Sequence, residues 1–224
     1  MATTDRPSPV AAPGARPGLV AGFVRKARER PDLVIPGVLA IVNGLWHRLK
    51  FRLLGKRVSI GRGLRVYGAL RISGPGRVVI GDDCLILGKT LRPVSLITWD
   101  RAATITLGHS VGLNGTVVNC YERIEIGDLA NLADAYVIDS SAHHLSADRR
   151  FLPTSTVPRA PVRIERNVWV SVGVIILKGV TIGQNSVVAA STLVRRDVPP
   201  DTIVAGNPLR ELGRVPAKLD AGGG

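Results

Sequence analysis

The last part of the chain repeats with a period of six residues. From residue 164 onward, every sixth residue is a branched aliphatic: Ile164, Val170, Ile176, Ile182, Val188 and Val194. The fourth residue after each is small or β-branched: Val168, Val174, Val180, Ser186, Thr192 and Val198. An α-helix repeats its side-chain direction every 3.6 residues and a β-strand every two, so neither explains this period. A three-sided coil with one flat face for each hexapeptide does, and the sequence therefore predicts a solenoid.

The same spacing begins near residue 60, and its members are Ile60, Val66, Ile72 and Val78. The register then shifts, because the next repeat starts at Ile80-Gly81, and later repeats start at Leu107, Ile126, Leu132 and Ile138. We predict an all-β parallel β-helix over residues 58–205, in which stacked coils bury the inward aliphatic side chains. The polar, Pro-containing segment 140–161 predicts a loop that leaves the coil, where solenoids carry functional insertions.

The residues before the repeats predict a lead and a helical extension. Residues 1–18 are rich in Pro, Ala and Gly and predict a disordered lead. Residues 19–57 predict two helices, Leu19–Arg30 and Val38–Leu54, and the second carries an apolar stripe beside Arg48, Lys50 and Arg52. Two interpretations stay open for this second helix: it caps the open end of the solenoid, or it lies on an anionic membrane surface. Residues 206–224 predict a C-terminal tail.

The net charge of +13 favours acidic partners such as nucleic acid, anionic lipid or a phosphorylated ligand. Nucleic acid is not expected, because Lys and Arg are dispersed and aromatic residues make up only 4% of the chain. Cys84 and Cys120 are too few for a disulfide framework, which favours a reducing compartment. The start lacks the apolar run of a signal peptide, so we expect a cytoplasmic protein, with the N-terminal extension as its route to the inner membrane face.

Several motifs resemble those of hexapeptide-repeat acyltransferases. They are residues 160–170 (APVRIERNVWV), 179–183 (GVTIG), 186–191 (SVVAAS), 196–200 (RDVPP) and 204–208 (VAGNP). The resemblance covers roughly residues 58–212 and is closest to the branch that acetylates sugars and polysaccharides, such as galactoside and maltose O-acetyltransferases. It implies a left-handed β-helix, a homotrimer, acetyl-CoA as acyl donor, and a sugar or glycan precursor as acceptor.

The resemblance places the catalytic histidine at His143, inside the predicted loop. An imidazole suits this role, because its ordinary pKa of about 6.5 lets it take a hydroxyl proton as the alcohol attacks a thioester. A shift of one residue would give the role to His144, which we otherwise expect near the acceptor. The group that fixes the base is Asp139 or a backbone carbonyl. Asp139 also fits an acceptor ligand or a turn residue, so its role stays open.

The resemblance also implies where coenzyme A and the acceptor bind. The family's oxyanion donor follows a Trp-Ile-Gly corner, which here reads Trp169-Val170-Ser171, so the site falls at Ser171 and Val172. The pantetheine arm is expected along Ala189, Ala190 and Ser191, and the phosphates near Arg195, Arg196 and Arg210, which equally fit a solvated basic edge. Asn114 is expected to bind the sugar, although an asparagine ladder along the coil explains it as well.

Two other functions fit parts of the pattern. One is N-acetylation of a nucleotide-linked amino sugar, which the overall resemblance favours less than O-transfer. The other is a non-catalytic or metal-dependent β-helix protein, similar to gamma-class carbonic anhydrases, which hold zinc with three histidines. The chain has four histidines, and the adjacent pair His143-His144 does not match that spacing, so no metal is expected.

Overall fold

The computed structural model describes residues 31–88, 92–153 and 156–217. The chain divides into two compact units, Met1–Pro36 and Gly37–Gly224. The predicted lead over residues 1–18, the predicted helix Leu19–Arg30 and the last residues of the predicted tail lie outside the described residues. The described part of the first unit is a 3₁₀ turn, Pro31–Leu33, followed by the first residues of a helix.

The predicted second helix is confirmed as α1, Val34–Leu53. Its buried residues are Ala40, Gly44, His47 and Phe51, which recur every three or four residues and so share one face. A Cβ at Gly44 would lie 2.0 Å from the carbonyl oxygen of Leu64, so only glycine permits this approach. In the part of the chain that the structure describes, no helix is long and apolar enough to cross a bilayer.

An amide side chain of α1 covers backbone of the first coil. Asn43 Nδ2 donates to the carbonyl oxygens of Val66 and Gly68, each at 3.1 Å, on a strand at the edge of its sheet. These contacts agree with the interpretation that the helix caps the coil. The predicted apolar stripe, however, faces away from the coil. The exposed residues of α1, each between 44% and 74% exposed, include Val38, Leu39, Ile41, Val42, Leu45, Trp46, Leu49 and Leu53.

Six coils of three short strands follow α1. The strands are β1 (Val58–Ile60), β2 (Arg65–Gly68), β3 (Leu70–Ser73), β4 (Arg77–Ile80), β5 (Leu85–Gly88), β6 (Val94–Thr98), β7 (Thr104–Leu107), β8 (Gly112–Asn114), β9 (Val117–Cys120), β10 (Arg123–Ile126), β11 (Asn131–Ala133), β12 (Tyr136–Ile138), β13 (Val162–Ile164), β14 (Trp169–Val170), β15 (Ile175–Ile176), β16 (Thr181–Ile182), β17 (Val187–Val188) and β18 (Leu193–Val194). Each coil gives one strand to each of three parallel sheets, so the predicted parallel β-helix is confirmed.

The first sheet runs β1-β4-β7-β10-β13-β16, and the third runs β3-β6-β9-β12-β15-β18. The second sheet runs β2-β5-β8-β11-β14-β17 and continues into β19 (Thr202–Ala205) and β20 (Arg210–Arg214). We call the turns after the second-sheet strands the second corner, and those after the third-sheet strands the third corner. Because β20 pairs antiparallel with β19, the predicted tail from residue 206 includes a strand of the second sheet.

The interior is filled by the aliphatic residues that the six-residue period selects. All six from Ile164 to Val194 are at most 1% exposed, and the small or β-branched residues four places later are buried as well. The register shift near residue 80 is also present in the structure. Ile80, and not Val78, is the residue that pairs with Ile60, so the repeat that begins at Ile60 is taken up again at Ile80. No single coil can bury these side chains alone, so the stacking of coils stabilises the fold.

The predicted loop lies between β12 and β13. It is closed at its base by an antiparallel bridge between Ser140 and Arg159, with Ser141 N–H donating to the Pro158 carbonyl at 2.9 Å. Ala160 N–H donates to the Asp139 carbonyl at 2.9 Å. Beyond the loop, Ile164 pairs with Ile126, so the coil resumes in register with the coil before it.

Candidate active site

A cavity of about 440 Å³ lies on the third sheet and at the third corner, against the base of the loop. Its lining residues are Trp99, Asp100, Asn119, Tyr121, Tyr136, Ile138, Ala142, His143 and Arg159. These residues follow or belong to β6, β9 and β12, which are neighbours in the third sheet, or they belong to the loop. The cavity therefore combines aromatic surface with an amide, a carboxylate, a guanidinium and an imidazole.

Two stacked aromatic rings form one wall of the cavity. The rings of Trp99 and Tyr121 are 5.6 Å apart between centroids and inclined by 16°. Trp99 Nε1 donates to Asn119 Oδ1 at 3.1 Å, which fixes the indole in its plane. Burial, and then the neighbouring Tyr136, raise the pKa of the Tyr121 phenol, so it stays neutral around pH 7. The wall is thus a fixed apolar surface edged by groups that form hydrogen bonds.

An ion pair between Arg159 and Asp100 also lines the cavity. Arg159 Nη1 lies 3.4 Å from Asp100 Oδ2 and donates to the carbonyl oxygen of Tyr121 at 3.1 Å. The backbone N–H of Ala102, and then Arg159, lower the pKa of the Asp100 carboxyl, which is therefore ionised at neutral pH. Arg159 thereby links the loop to the two coils that carry the aromatic wall.

The two adjacent histidines occupy different environments. His143 lines the cavity and is exposed, and within the described residues its ring makes no hydrogen bond. The ring of His144 lies 3.2 Å from the carbonyl oxygen of Pro153 and 2.9 Å from Thr156 Oγ1, both through Nε2. The His144 ring is therefore bound within the loop and does not line the cavity, whereas the sequence predicts it near the acceptor.

Asp139 is fully buried and lies beneath the corner. Its Oδ1 accepts the Tyr121 N–H at 2.7 Å, and its Oδ2 accepts the N–H groups of Glu122 and Arg123 at 2.8 Å each. No hydrogen bond joins it to His143 among the residues that the structure describes. Of the three roles left open by the sequence, these contacts fit the turn residue.

The residues expected to bind coenzyme A lie mainly at the second corner. Ser171 and Val172 follow β14, and Ala189, Ala190 and Ser191 follow β17, one coil further on. The Ser171 N–H donates to the Val188 carbonyl at 2.9 Å, and the Ser191 N–H donates to the Val172 carbonyl at 2.9 Å. The backbone N–H groups of Val172 and Ala190 make no hydrogen bond to any described residue, so they remain available to a ligand.

Asn114 also stands at the second corner, as the last residue of β8, and not in the cavity beside His143. Within one chain, the third sheet lies between Asn114 at the second corner and His143 at the third corner. Within a single chain Asn114 therefore shares the second corner with the turns of residues 171–172 and 189–191, which lie two and three strands further along the second sheet, and lies apart from His143.

The three arginines expected near the phosphates are all exposed and come from two different elements of the chain. Arg195 and Arg196 follow β18 at the third corner, whereas Arg210 opens β20 in the second sheet. Arg196 Nη2 donates to the Leu209 carbonyl at 3.0 Å, which ties the corner to the chain that follows β19. Arg214 Nη1 donates to the Pro200 carbonyl at 3.0 Å.

Sequence reasoning missed Trp99, Asn119, Tyr121 and Arg159. The signal that could have found them is the scarcity of aromatics: of nine Phe, Trp and Tyr residues, Trp99, Tyr121 and Tyr136 line one cavity.

Among residues 31–88, 92–153 and 156–217, no three His, Cys, Asp or Glu side chains come together as a metal site would require.

Residues 161–196 match the family model described as bacterial transferase hexapeptide (six repeats). The predicted resemblance to hexapeptide-repeat transferases is thereby confirmed. The galactoside O-acetyltransferase of Escherichia coli K12 is 33% identical over 102 residues, which is 46% of this chain and 49% of that protein. The galactoside O-acetyltransferase of Lactococcus lactis is 38% identical over 85 residues, 38% of this chain and 40% of that protein. The chain spans about half the length, or less, of these relatives.

Among solved structures, the chain is similar in fold to AntD, an N-acyltransferase from Bacillus cereus solved with dTDP-4-amino-4,6-dideoxyglucose and coenzyme A. The TM-score is 0.60 at 20% sequence identity, over 75% of this chain and 89% of that chain. This likeness supports the solenoid architecture that the strand pairing describes.

Proposed function

We propose that this protein is an acetyl-CoA-dependent acyltransferase that moves an acetyl group to a hydroxyl of a sugar or glycan precursor, with His143 as general base. The observation that carries the proposal is the contrast between the two histidines. The His143 ring faces a cavity of about 440 Å³ with both nitrogens free of described partners, whereas the His144 ring is held by Pro153 and Thr156. The match to transferase repeats supports the reaction class.

The cavity wall suits a sugar acceptor. A pyranose offers a face of C–H groups that packs on aromatic rings, as the Trp99–Tyr121 pair presents, and a rim of hydroxyls that needs donors and acceptors. Asn119, Asp100 and Arg159 supply those groups at the same place. The names of the galactoside O-acetyltransferase relatives favour a hydroxyl acceptor over an amine.

The chemical step needs one base and one oxyanion donor. His143 takes the hydroxyl proton while the sugar oxygen attacks the thioester carbonyl, and the C–S bond breaks as the tetrahedral intermediate collapses. The imidazolium then returns the proton to the departing thiolate of coenzyme A. We assign the oxyanion contact to the Val172 N–H rather than that of Ser171, because the Ser171 N–H is already bound to Val188.

The donor and acceptor sites of this proposal require more than one copy of the chain. His143 belongs to the third corner, whereas Val172, Ala190 and Asn114 belong to the second corner, on the far side of the third sheet. Two copies packed side by side would bring one corner of each together, and three copies that close a ring through such contacts form a homotrimer. We therefore propose that coenzyme A lies along the second corner of one subunit, facing His143 of the next.

The test is release of thiol from acetyl-CoA across a panel of free sugars and amino sugars, with His143→Ala compared with His144→Ala. General-base catalysis typically contributes about 10²- to 10⁴-fold, so His143→Ala should lose at least 100-fold in turnover. His144→Ala should keep most activity, and both should keep the native molar mass and melting temperature. Undiminished turnover in His143→Ala would reject the base, and preference for amino sugars would replace O-transfer with N-transfer.

A further inference from the structure

The outer face of α1 is apolar although the coil does not cover it. With about 100° of rotation per residue, Val38, Val42, Leu45, Trp46, Leu49 and Leu53 fall within an arc of about 100°. We call these six residues the outward stripe. Each of them is at least 44% exposed. An exposed, contiguous apolar surface of this kind marks an interaction site.

The face that packs on the coil is, by contrast, poor in large apolar groups. It presents Ala40, Gly44 and His47, with Phe51 as its one large hydrophobic residue, and Asn43 beside them reaches the edge-strand carbonyls. Gly44 contacts the Leu64 backbone so closely that no side chain fits. The helix therefore cannot turn its outward stripe toward the coil without losing this contact. The stripe is free for another partner.

The charges on the helix that carries the stripe have one sign. α1 contains Arg48, Lys50 and Arg52 and no Asp or Glu. From the rotation of about 100° per residue, Arg48 and Lys50 lie on opposite sides of the outward stripe. Just beyond α1, Lys56, Arg57 and Arg101 line a cavity of about 270 Å³ whose other walls include Gly55, Gly74 and Gly76. Cations thus border the apolar surface along its sides and at its end.

We propose that the outward stripe of α1 docks on the surface of an anionic lipid bilayer. Leucine and valine side chains enter the boundary between headgroups and acyl chains, Trp46 sits at the level of the headgroups, and the flanking cations contact lipid phosphates. The helix then lies in the plane of the membrane, with the coil on its aqueous side. This docking is separate from acyl transfer, since no residue of the stripe lines the cavity with His143.

The charged and apolar residues of α1 distinguish this partner from three others. A second copy that presented the same helical face would bring Arg48, Lys50 and Arg52 of the two copies together with no carboxylate of α1 between them, which repels. Residues 1–30 carry six Lys and Arg against two acidic residues, so they do not complement the surface either. A nucleic acid would contact the cations but leave the leucine and valine side chains without a partner.

The experiment is cosedimentation of the whole protein with vesicles of phosphatidylcholine alone and of equal parts phosphatidylcholine and phosphatidylglycerol. We expect binding to the anionic vesicles only, weakened by high salt. The double variant Leu45→Glu/Leu49→Glu should lose at least about tenfold in apparent affinity, since it places two charges in the stripe. Arg48→Gln/Lys50→Gln should lose roughly tenfold or more, because each cation contributes near an anionic surface.

The matched control is Leu145→Glu, which makes the same change at a loop leucine that is 92% exposed and outside α1, and which should bind vesicles normally. Trp46 fluorescence should shift to shorter wavelength on binding, and the shift should vanish in Trp46→Phe, where Trp99 and Trp169 remain. All variants should melt as the parent does, and acyl transfer to a free sugar should continue in Leu45→Glu/Leu49→Glu.

Three results would overturn the docking. Anionic vesicles that fail to bind, or that bind the Leu45→Glu/Leu49→Glu variant equally well, remove the stripe from the interaction. A fall in molar mass of that variant without vesicle binding by the parent assigns the stripe to a second copy. Binding of a double-stranded oligonucleotide in place of vesicles assigns the cations to nucleic acid. Loss of sugar acetylation in the His143→Ala variant bears on none of these outcomes.

Discussion

Asp139 Oδ1 accepts the backbone N–H of Tyr121 at 2.7 Å, so a buried carboxylate at the base of the loop holds the aromatic wall of the cavity in place. The same carboxylate accepts the next two N–H groups of that turn and contacts the Cys120 thiol at 3.4 Å. The turn that presents Tyr121 is therefore built around one side chain from the neighbouring coil. Asp139 acts on the site through Tyr121 rather than through His143.

Replacing Asp139 by Asn should destabilise the fold. The amide has one acceptor oxygen where the carboxylate uses two, so an N–H of the turn would face an NH₂ group in a buried place. We expect the free energy of unfolding to fall by about 2 to 4 kcal/mol, measured by urea denaturation. Asp148→Asn, in the exposed part of the loop, is the control and should change it by less than about 0.5 kcal/mol. Equal stability of Asp139→Asn and the parent would contradict the role of Asp139 in the turn.

Two glycines in α1 should respond oppositely to alanine. A Cβ at Gly44 would lie 2.0 Å from the Leu64 carbonyl oxygen, whereas at Gly37 the nearest atom is the Tyr67 hydroxyl at 3.8 Å. Gly44→Ala should therefore destabilise the protein by about 1 to 3 kcal/mol, as overpacking does. Gly37→Ala should be neutral or stabilise by up to about 1 kcal/mol, since alanine favours the helix.

Thermal unfolding and hydrogen exchange of β2 would check this pair, because β2 is the strand that Asn43 covers. Faster exchange in Gly44→Ala alone would show that α1 has left the coil. Similar behaviour of both variants would mean that the close approach at Gly44 does not hold the helix.

The aromatic wall should control affinity for the acceptor and not for the donor. Trp99→Ala removes the stacked ring and should raise the KM for the sugar roughly tenfold, with little change in the KM for acetyl-CoA. Trp99→Phe keeps a ring but loses the hydrogen bond to Asn119, so its effect should be smaller. Initial-rate kinetics with each substrate varied in turn measure both constants. A larger change in the KM for acetyl-CoA would place the sugar elsewhere.

Alkaline pH should destabilise the protein partly through Cys84. Burial raises the pKa of this thiol from 9.0 to about 11. Between these values the unfolded chain has lost a proton that the folded chain retains, so the free energy of unfolding falls as pH rises. Well below pH 9.0 the thiol has no such effect, because it is protonated in both states.

Urea unfolding at several pH values from neutral to about pH 11 would test the Cys84 contribution. The slope of stability against pH should be shallower in Cys84→Ala than in the parent, whatever their difference at neutral pH. Parallel slopes would show that this thiol does not contribute. A thiol reagent should also react with Cys84 and Cys120 only after unfolding, since both are buried.

Much of the fold follows from the sequence because it depends on a repeated local rule. Each inward position from Ile164 to Val194 is set by its spacing, and the register shift at Ile80 is visible as a break in that spacing. The orientation of α1 is not predictable in this way. The largest apolar stripe of a helix ordinarily faces a core. In α1 the other face packs on the coil, because Gly44 approaches the Leu64 backbone closely and Asn43 donates two hydrogen bonds. A hydrophobic pattern contains no information on either contact.

The candidate site was harder to predict for a related reason. His143 could be selected by resemblance, but the role of Asp139 depends on which N–H groups lie beside it after the coils stack. Trp99 and Tyr121 are far apart in the sequence and meet only because β6 and β9 are neighbours in the third sheet. Such contacts depend on the number of residues in each turn of the coil, and a local sequence motif does not predict them.

The bridge between Ser140 and Arg159 has a consequence for how this architecture can diversify. Ile126 and Ile164 are stacked partners although 38 residues separate them, about twice the separation of Leu107 and Ile126. Because the loop departs and returns at one point, its length and contents can change while every later turn of the coil keeps its place. The part of the cavity wall that the loop supplies, which includes His143 and Arg159, can therefore change or be grafted without displacing the coils that follow.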